Sequence, residues 1–163
     1  MVDILHKIGI QSSPDDTYKA LTTREGLSAW WTNDTQGESK RGGVLQFRFG
    51  SGGFDMKVLE LDPAKRVLWQ VVDGPAEWIG TKVSWDLKQD GDYTVVLFKH
   101  QGWKEPVDFM HHCSTKWGVF LLSLKSLLET GKGAPWPDDI KIDKWEAEQR
   151  RPVAGELQHS GRT

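Results

Sequence analysis

Histidine and cysteine are the residue types in this sequence that most directly suggest chemistry. His111, His112 and Cys113 are consecutive in a segment with helical periodicity, and His100 lies near the end of a segment with strand periodicity. Adjacent residues of a helix point about 100° apart, so three consecutive side chains do not readily converge on one metal ion. Zinc ligands on a helix usually lie at i and i+4, and the chain has no second cysteine. We therefore expect no metal site and no cofactor held by these residues.

Covalent or acid–base catalysis has little support in the spacing of reactive residues. A cysteine nucleophile needs a base and an orienting group in contact with it, and no glycine-elbow motif surrounds Cys113. The carboxylate pairs Asp15-Asp16 and Asp138-Asp139 are better explained as solvated groups than as acid–base pairs. The glycines of the segment 50–53 precede no helix and no GK[ST] sequence, so they do not predict a phosphate-binding loop.

Aromatic side chains are the second group that could bind another molecule, because the chain has nine tryptophans. Several alternate with polar residues in segments with strand periodicity, and others lie in helical segments. Such residues either fill a core completely or line one apolar pocket with a few polar anchors, and the sequence leaves both readings open. Gln70 and His100 are the candidates for contacting the polar end of a ligand. The candidate ligand-binding residues are Trp30, Trp31, Phe47, Phe49, Trp69, Gln70, Trp85, Phe98, His100, Met110, Cys113 and Trp117.

Composition narrows the functional classes. The formal net charge of -2 gives no bulk attraction to nucleic acid. The apolar runs are far shorter than the roughly 20 residues that a membrane span needs. The single cysteine cannot form an internal disulfide, and the N-terminal residues lack the pattern of a secretion signal. We expect a cytoplasmic protein with no nucleic-acid partner and no membrane span.

The elements that must position these residues follow from the hydrophobic pattern. Residues 3–12 alternate as a strand, and two short helices follow, with Ser13 and Thr23 as their N-caps. Five alternating segments separated by short turns lie between residues 42 and 103, which indicates an antiparallel meander. A helix over about residues 106–130 carries one apolar stripe that must face a sheet.

This order predicts an α+β fold of the helix-grip type. A curved antiparallel sheet of about six strands, in the order β-α-α-β5-α, wraps around a long C-terminal helix, and a gap often remains between them. We expect one domain over residues 1–137 and a charged surface tail over residues 138–163. His100 shares a strand face with Phe98, but the alternating face that carries Leu97 is also partly apolar, so the hydrophobic pattern does not decide which face points inward.

Five segments of the chain resemble one known family, and they occur in that family's order. They are Ala20–Thr32 with its paired tryptophans, the Gly42-Gly43 pair that opens a strand, Val58–Trp69, Tyr93–Trp103, and Trp117–Pro135. Together they are similar to the START-like (SRPBCC) superfamily, and to its family related to the C-terminal domain of the activator of the Hsp90 ATPase, over about residues 6–137. The resemblance implies the helix-grip fold and favours the inward face for His100.

The resemblance leaves three hypotheses for the function, because its superfamily includes lipid carriers, hormone receptors and polyketide cyclases. The first is binding of a small apolar or aromatic molecule between the sheet and the C-terminal helix. The second is a cyclase or aromatase-type enzyme that uses the same cavity, with His100 as acid or base. The third is a chaperone-related protein-interaction module. The chaperone-contacting N-terminal domain of the activator has no counterpart in this sequence, so chaperone contact has no direct support, and we favour binding without catalysis.

Overall fold

One antiparallel sheet and one long helix dominate the computed structural model, which describes residues 1–150 and their side chains to Glu148. The strands are β1 (Val2–Ile10), β2 (Asp34–Gly37), β3 (Val44–Phe49), β4 (Gly52–Asp62), β5 (Arg66–Asp73), β6 (Lys82–Asp90) and β7 (Tyr93–Trp103). The helices are α1 (Pro14–Thr22), α2 (Arg24–Trp30), α3 (Asp108–Thr130) and α4 (Lys144–Arg150). The seven strands follow the order β1-β7-β6-β5-β4-β3-β2 across the sheet, and all neighbouring strands are antiparallel.

The predicted α+β helix-grip fold is confirmed, with two local differences. The short strand β2 adds to the predicted set, because its sequence DTQG has no apolar alternation and its pairing with β3 alone defines it. The long helix α3 begins at Asp108 rather than Pro106, since Val107 is still extended and acts as the N-cap. It ends where the sequence predicts, just before Gly131, whose φ of 87° suits the left-handed conformation that glycine adopts most easily.

The two short helices are capped as the sequence predicts. The side-chain oxygens of Ser13 and Thr23 each accept a backbone N–H from the first turn of α1 and α2. Trp30 Nε1 donates to the Ala20 carbonyl at 2.9 Å, which ties α2 back to α1. This pair of helices therefore holds Trp30 and Trp31 against the interior, where they are 0% and 2% exposed.

The alternation along β7 decides which of its faces points inward. Phe98 and His100 are 1% and 0% exposed, whereas Leu97 is 44% exposed. Because successive strand residues point to opposite faces, the whole register of His100 faces α3. The inward face that the family resemblance favoured is therefore the observed one.

The chain after α3 packs back onto that helix. Asp139 is 5% exposed and forms ion pairs with Lys116 and Lys141. The expectation that the Asp138-Asp139 pair is solvated is therefore wrong for Asp139, although Asp138 is exposed. Two lysines compensate the burial of this carboxylate, which would otherwise be costly.

The predicted division into a domain over residues 1–137 and a charged tail over residues 138–163 stays a prediction. Residues 151–163 of that tail lie outside the described residues. Within residues 1–150, none of the helices combines the length and the apolar character that crossing a membrane requires.

Candidate ligand-binding cavity

A cavity of about 690 Å³ lies beside the N-terminal half of α3. Its walls come from α3 over residues 109–120, the β3–β4 turn over residues 49–54, the β5–β6 loop at Trp78, and the segment 136–146 that follows α3. Trp31, at the end of α2, also lines it. The end of a hairpin, a loop and the chain after α3, rather than the middle of the sheet, therefore face the long helix across the cavity.

Aromatic rings in mutual contact form the apolar walls of the cavity. The ring of Trp31 lies 5.1 Å from that of Trp117 and 6.4 Å from that of Phe120, measured between centroids. Phe54 stacks on Trp78 with centroids 4.0 Å apart and planes 9° from parallel. Because each ring is held by its neighbours, these walls are rigid surfaces suited to a flat or apolar molecule.

Lys116 is a buried cation in this largely aromatic wall. Its Nζ forms ion pairs with the carboxylates of Asp139 and Glu146, the latter at 3.0 Å, and donates to the Ile140 carbonyl at 2.9 Å. Asp139 also pairs with Lys141 at 2.6 Å. The side chains of Lys116 and Asp139 are 10% and 1% exposed. Two lysines and two carboxylates therefore form one charge-compensated cluster.

A second polar pair at the cavity joins His112 and Asp143. His112 Nδ1 donates to the Asp143 carboxylate at 2.7 Å, and the imidazole stacks on Phe109 with centroids 6.0 Å apart. The backbone N–H of Glu146, and after it the His112 side chain, hold the pKa of Asp143 below its ordinary value of 3.8. A neutral imidazole held through Nδ1 can accept a proton at Nε2, so this pair has the arrangement of a general base.

Cys113 contributes apolar surface to the cavity rather than a nucleophile. Burial raises the pKa of its thiol to about 12, and only the thiolate is strongly nucleophilic. Within the described part of the chain, no three histidine, cysteine, aspartate or glutamate side chains lie together as a metal ion would require.

His100 lies in the packed interior and not on the cavity wall. Thr81 Oγ1 donates to the Trp78 carbonyl at 2.5 Å, so the same oxygen accepts a hydrogen bond from His100 Nε2 at 2.8 Å. Trp117 Nε1 donates to His100 Nδ1 at 3.2 Å. These partners fix a neutral imidazole protonated on Nε2, and burial lowers the pKa of His100 to about 3. Both nitrogens are therefore committed to structural hydrogen bonds.

The structure divides the predicted ligand-binding residues into separate groups. Gln70 points away from the interior, because it adjoins the inward-facing Trp69 on β5, and it donates to the Gly80 carbonyl at 3.4 Å. Met110 is half-buried against the core and does not line the cavity. Four predicted residues line the cavity, namely Trp31, Phe49, Cys113 and Trp117, and six are packed into the interior, namely Trp30, Phe47, Trp69, Trp85, Phe98 and His100.

Sequence reasoning missed several residues of the cavity wall. The sequence could have indicated Lys116 as a buried polar residue, because it lies on the same helical face as Cys113 and Phe120, where a charge needs a buried partner. The sequence offered no such indication for Trp78, on a loop, or for Glu146, on the short helix α4, because both reach the cavity through tertiary contacts that no local pattern encodes.

Comparison with known proteins places the chain in a family. The profile described as "Activator of Hsp90 ATPase homolog 1-like protein" matches residues 11–129. A search of curated proteins finds no match. Among solved structures, the one titled "Solution structure of the Aha1 dimer from Colwellia psychrerythraea" is 51% identical, with a TM-score of 0.77, and the alignment covers 82% of this chain and 100% of that one.

Two more distant structures share the fold. CalU16 from Micromonospora echinospora is 17% identical with a TM-score of 0.67, over 78% of this chain and 74% of that one. DynU16, from the dynemicin biosynthetic locus, is 22% identical with a TM-score of 0.67, over 80% of this chain and 48% of that one. The profile match and the 51% identity together show that this protein belongs to the Activator of Hsp90 ATPase homolog 1-like family of the START-like superfamily.

Proposed function

We propose that this protein binds a small apolar or aromatic molecule in the cavity beside α3. The observation that carries the proposal is a volume of about 690 Å³ bordered by rigid aromatic rings. Small-molecule sites are typically concave, mostly apolar and roughly 300–1,000 Å³ in volume, with few polar groups that fix the ligand. Lys116, Glu146 and His112 are such groups here. A ligand would gain mainly from removing apolar surface from water.

Binding without chemistry is favoured over the cyclase-type reaction that the sequence suggested for His100. An acid or base must reach the substrate, and His100 is 0% exposed with a hydrogen-bond partner on each ring nitrogen. We also propose a cytoplasmic location, which rests on the sequence-based expectation for a chain with a single cysteine.

Isothermal titration with 2-naphthamide, an uncharged bicyclic aromatic, tests the proposal. We expect saturable one-to-one binding that weakens at least about fivefold in Cys113→Met, because the longer side chain takes up cavity volume. Leu122→Met, on the exposed side of the same helix, is the matched control and should leave the affinity unchanged. A lack of saturable binding at millimolar probe, or an equal loss in both variants, would contradict the proposal.

One observation, the His112–Asp143 pair at the cavity, supports a catalytic function as the second candidate. If His112 is a general base, it should exchange the methyl protons of bound 2-acetylnaphthalene for deuterium, which proton NMR follows. His112→Gln should abolish the enhancement, while the exposed neighbour His111 provides the control variant His111→Gln. Exchange no faster than in buffer would exclude this role for the pair.

An interaction role remains the third hypothesis, because the 51% identical relative is named Aha1 and described as a dimer. Such a role needs an exposed apolar patch. Leu122 and Ile140 are 61% and 70% exposed and border a shared groove on the outer side of α3. Sedimentation of the protein alone and with purified Hsp90 would test it, with Leu122→Ser expected to weaken any association. A sedimentation coefficient that stays that of the monomer in both experiments would argue against it.

A further inference from the structure

The buried cation of the cavity wall takes its carboxylate partners from one short segment of chain. Lys116 lies on α3, whereas Asp139 and Glu146 both belong to the segment that folds back over the cavity. The Lys116 ammonium also lies 4.9 Å from the centroid of the Phe120 ring, on the apolar side of the cavity. A charged group is therefore placed at the boundary between aromatic wall and C-terminal segment.

The two carboxylates of this cluster are not equivalent. Asp139 is held by two lysines and its side chain is 1% exposed. Within the described residues, Glu146 pairs with no lysine except Lys116; it accepts the Ile142 N–H at 2.8 Å and is 15% exposed. Displacing Glu146 would leave two lysines facing one carboxylate, a net charge of about +1 that one anion would neutralise.

The residue before Glu146 supplies an aromatic ring at the same opening. The indole of Trp145 meets the His112 imidazole edge to face, with centroids 5.5 Å apart. The dipeptide Trp145-Glu146 thus presents a ring and a carboxylate to the cavity, and both residues line it. These two side chains place a ring and a carboxylate at the polar end of the cavity, which are the same groups that an aromatic carboxylic acid would bring.

We propose that the ligand is an aromatic or apolar carboxylic acid whose carboxylate replaces Glu146 on Lys116, an inference that rests on the proposed binding function. The apolar body of the ligand contacts the rings of the wall, and its carboxylate forms the charge-assisted bond that Glu146 gives up. The C-terminal segment stays attached through Asp139, so exchange of one carboxylate for another does not leave Lys116 unpaired.

Two probes of the same shape test whether the ligand's negative charge contributes to binding. 2-Naphthoate and 2-naphthamide have the same size and shape, and they differ in carrying a carboxylate or a neutral amide. We expect the wild-type protein to bind 2-naphthoate with a lower dissociation constant than 2-naphthamide, and we call the ratio of the two constants the preference for naphthoate. In Glu146→Gln the preference should rise about tenfold, because the competing carboxylate is gone. Glu148→Gln, on the same helix but paired only loosely with Lys144 at 3.8 Å, should leave the preference unchanged.

Lys116→Met supplies the reciprocal test and should remove the preference for naphthoate over naphthamide. Thermal unfolding checks that this variant is folded, and the Glu146→Gln comparison decides the question if it is not. A preference unchanged by Glu146→Gln would overturn this inference and leave the binding function intact. Failure of both probes to bind the wild-type protein would overturn the binding function and this inference together.

Discussion

The interior beneath the middle of the sheet and the cavity beside α3 are lined by the same kinds of side chain, yet one is filled and the other is open. In the interior, the ring of Trp85 lies 5.7 Å from Trp69 and 4.8 Å from Phe98, and none of the three is more than 1% exposed. At the cavity, Trp31 and Trp117 are equally buried by their neighbours but border a volume of about 690 Å³. Aromatic content alone therefore does not decide whether space remains.

The difference lies in what stands opposite the helix. Strands β5, β6 and β7 direct a side chain toward α3 from every second position, including the rings of Trp69, Trp85 and Phe98. The β3–β4 turn instead presents Gly50, Gly52 and Gly53. Gly53 has a φ of 156°, and a Cβ there would lie 2.0 Å from the Phe47 carbonyl oxygen, so only glycine fits. At its glycines, the turn has no side chain with which to fill the space that it borders.

The largest effect that should separate the two regions is loss of stability on truncation of an interior ring. We expect Trp85→Ala to lower the free energy of unfolding by about 3–5 kcal/mol, since it leaves a void among fixed rings. Trp136→Ala, at the half-buried rim of the cavity, should cost less than about 2 kcal/mol. Chemical denaturation measures both, and equal losses would break the contrast between filled and open regions.

Substitution in the charge cluster at the cavity should lower the free energy of unfolding nearly as much. Asp139→Ala removes the carboxylate shared by Lys116 and Lys141, and we expect a loss of about 3 kcal/mol because a buried ion pair is left without one partner. Asp138→Ala changes the exposed neighbour and is the control. If the two variants unfold at the same denaturant concentration, the charge cluster does not hold the C-terminal segment in place.

The stability of the protein should also depend on pH, because His100 is buried in the interior. Its pKa is about 3 in the folded protein and 6.5 ordinarily, so between these values the unfolded chain binds a proton that the folded chain does not. Stability therefore falls as the pH drops below about 6.5, by about 2 kcal/mol at pH 5 from this residue. Urea unfolding at pH 7 and pH 5 should show a correspondingly smaller decrease in His100→Gln. An identical decrease in both proteins would mean that the imidazole is protonated in the fold.

The smallest effect concerns the opening of the cavity. Trp145 is 57% exposed and contacts His112 edge to face. We expect Trp145→Ala to change the free energy of unfolding by less than about 1 kcal/mol, because little buried surface is lost. The same variant should speed the association of 2-naphthamide, measured by stopped-flow quenching of tryptophan fluorescence. A large destabilisation would instead make Trp145 part of the core.

The elements of the fold could be predicted because their signals are local. The caps at Ser13 and Thr23, the glycine stop at Gly131 and the alternation of β7 each depend on a few neighbouring residues. Strand β2 could not be predicted, since DTQG becomes a strand only by pairing with the edge that β3 offers.

The site was less predictable, because its walls are set by tertiary contacts. Adjacent residues of a strand point to opposite faces, so Gln70 cannot point into the interior if Trp69 does. The sequence alone could therefore have excluded Gln70 from the ligand-binding residues. The cluster around Lys116 was not accessible in the same way, since its carboxylates lie more than twenty residues further along the chain, at Asp139 and Glu146. The sequence identified the aromatic inventory, but which rings border a gap depends on the glycine turn and the C-terminal segment.

An NMR titration of protein labelled with ¹⁵N in its tryptophan indoles, with 2-naphthamide as the probe, tests most directly whether the cavity beside α3 binds a ligand. We expect the indole signals of Trp31, Trp78 and Trp117 to shift most, because these rings line the cavity. The signals of Trp69 and Trp85, packed in the interior, should move least. Largest shifts at Trp69 and Trp85, or no saturable shift at any indole, would contradict the claim that the cavity beside α3 is the binding site.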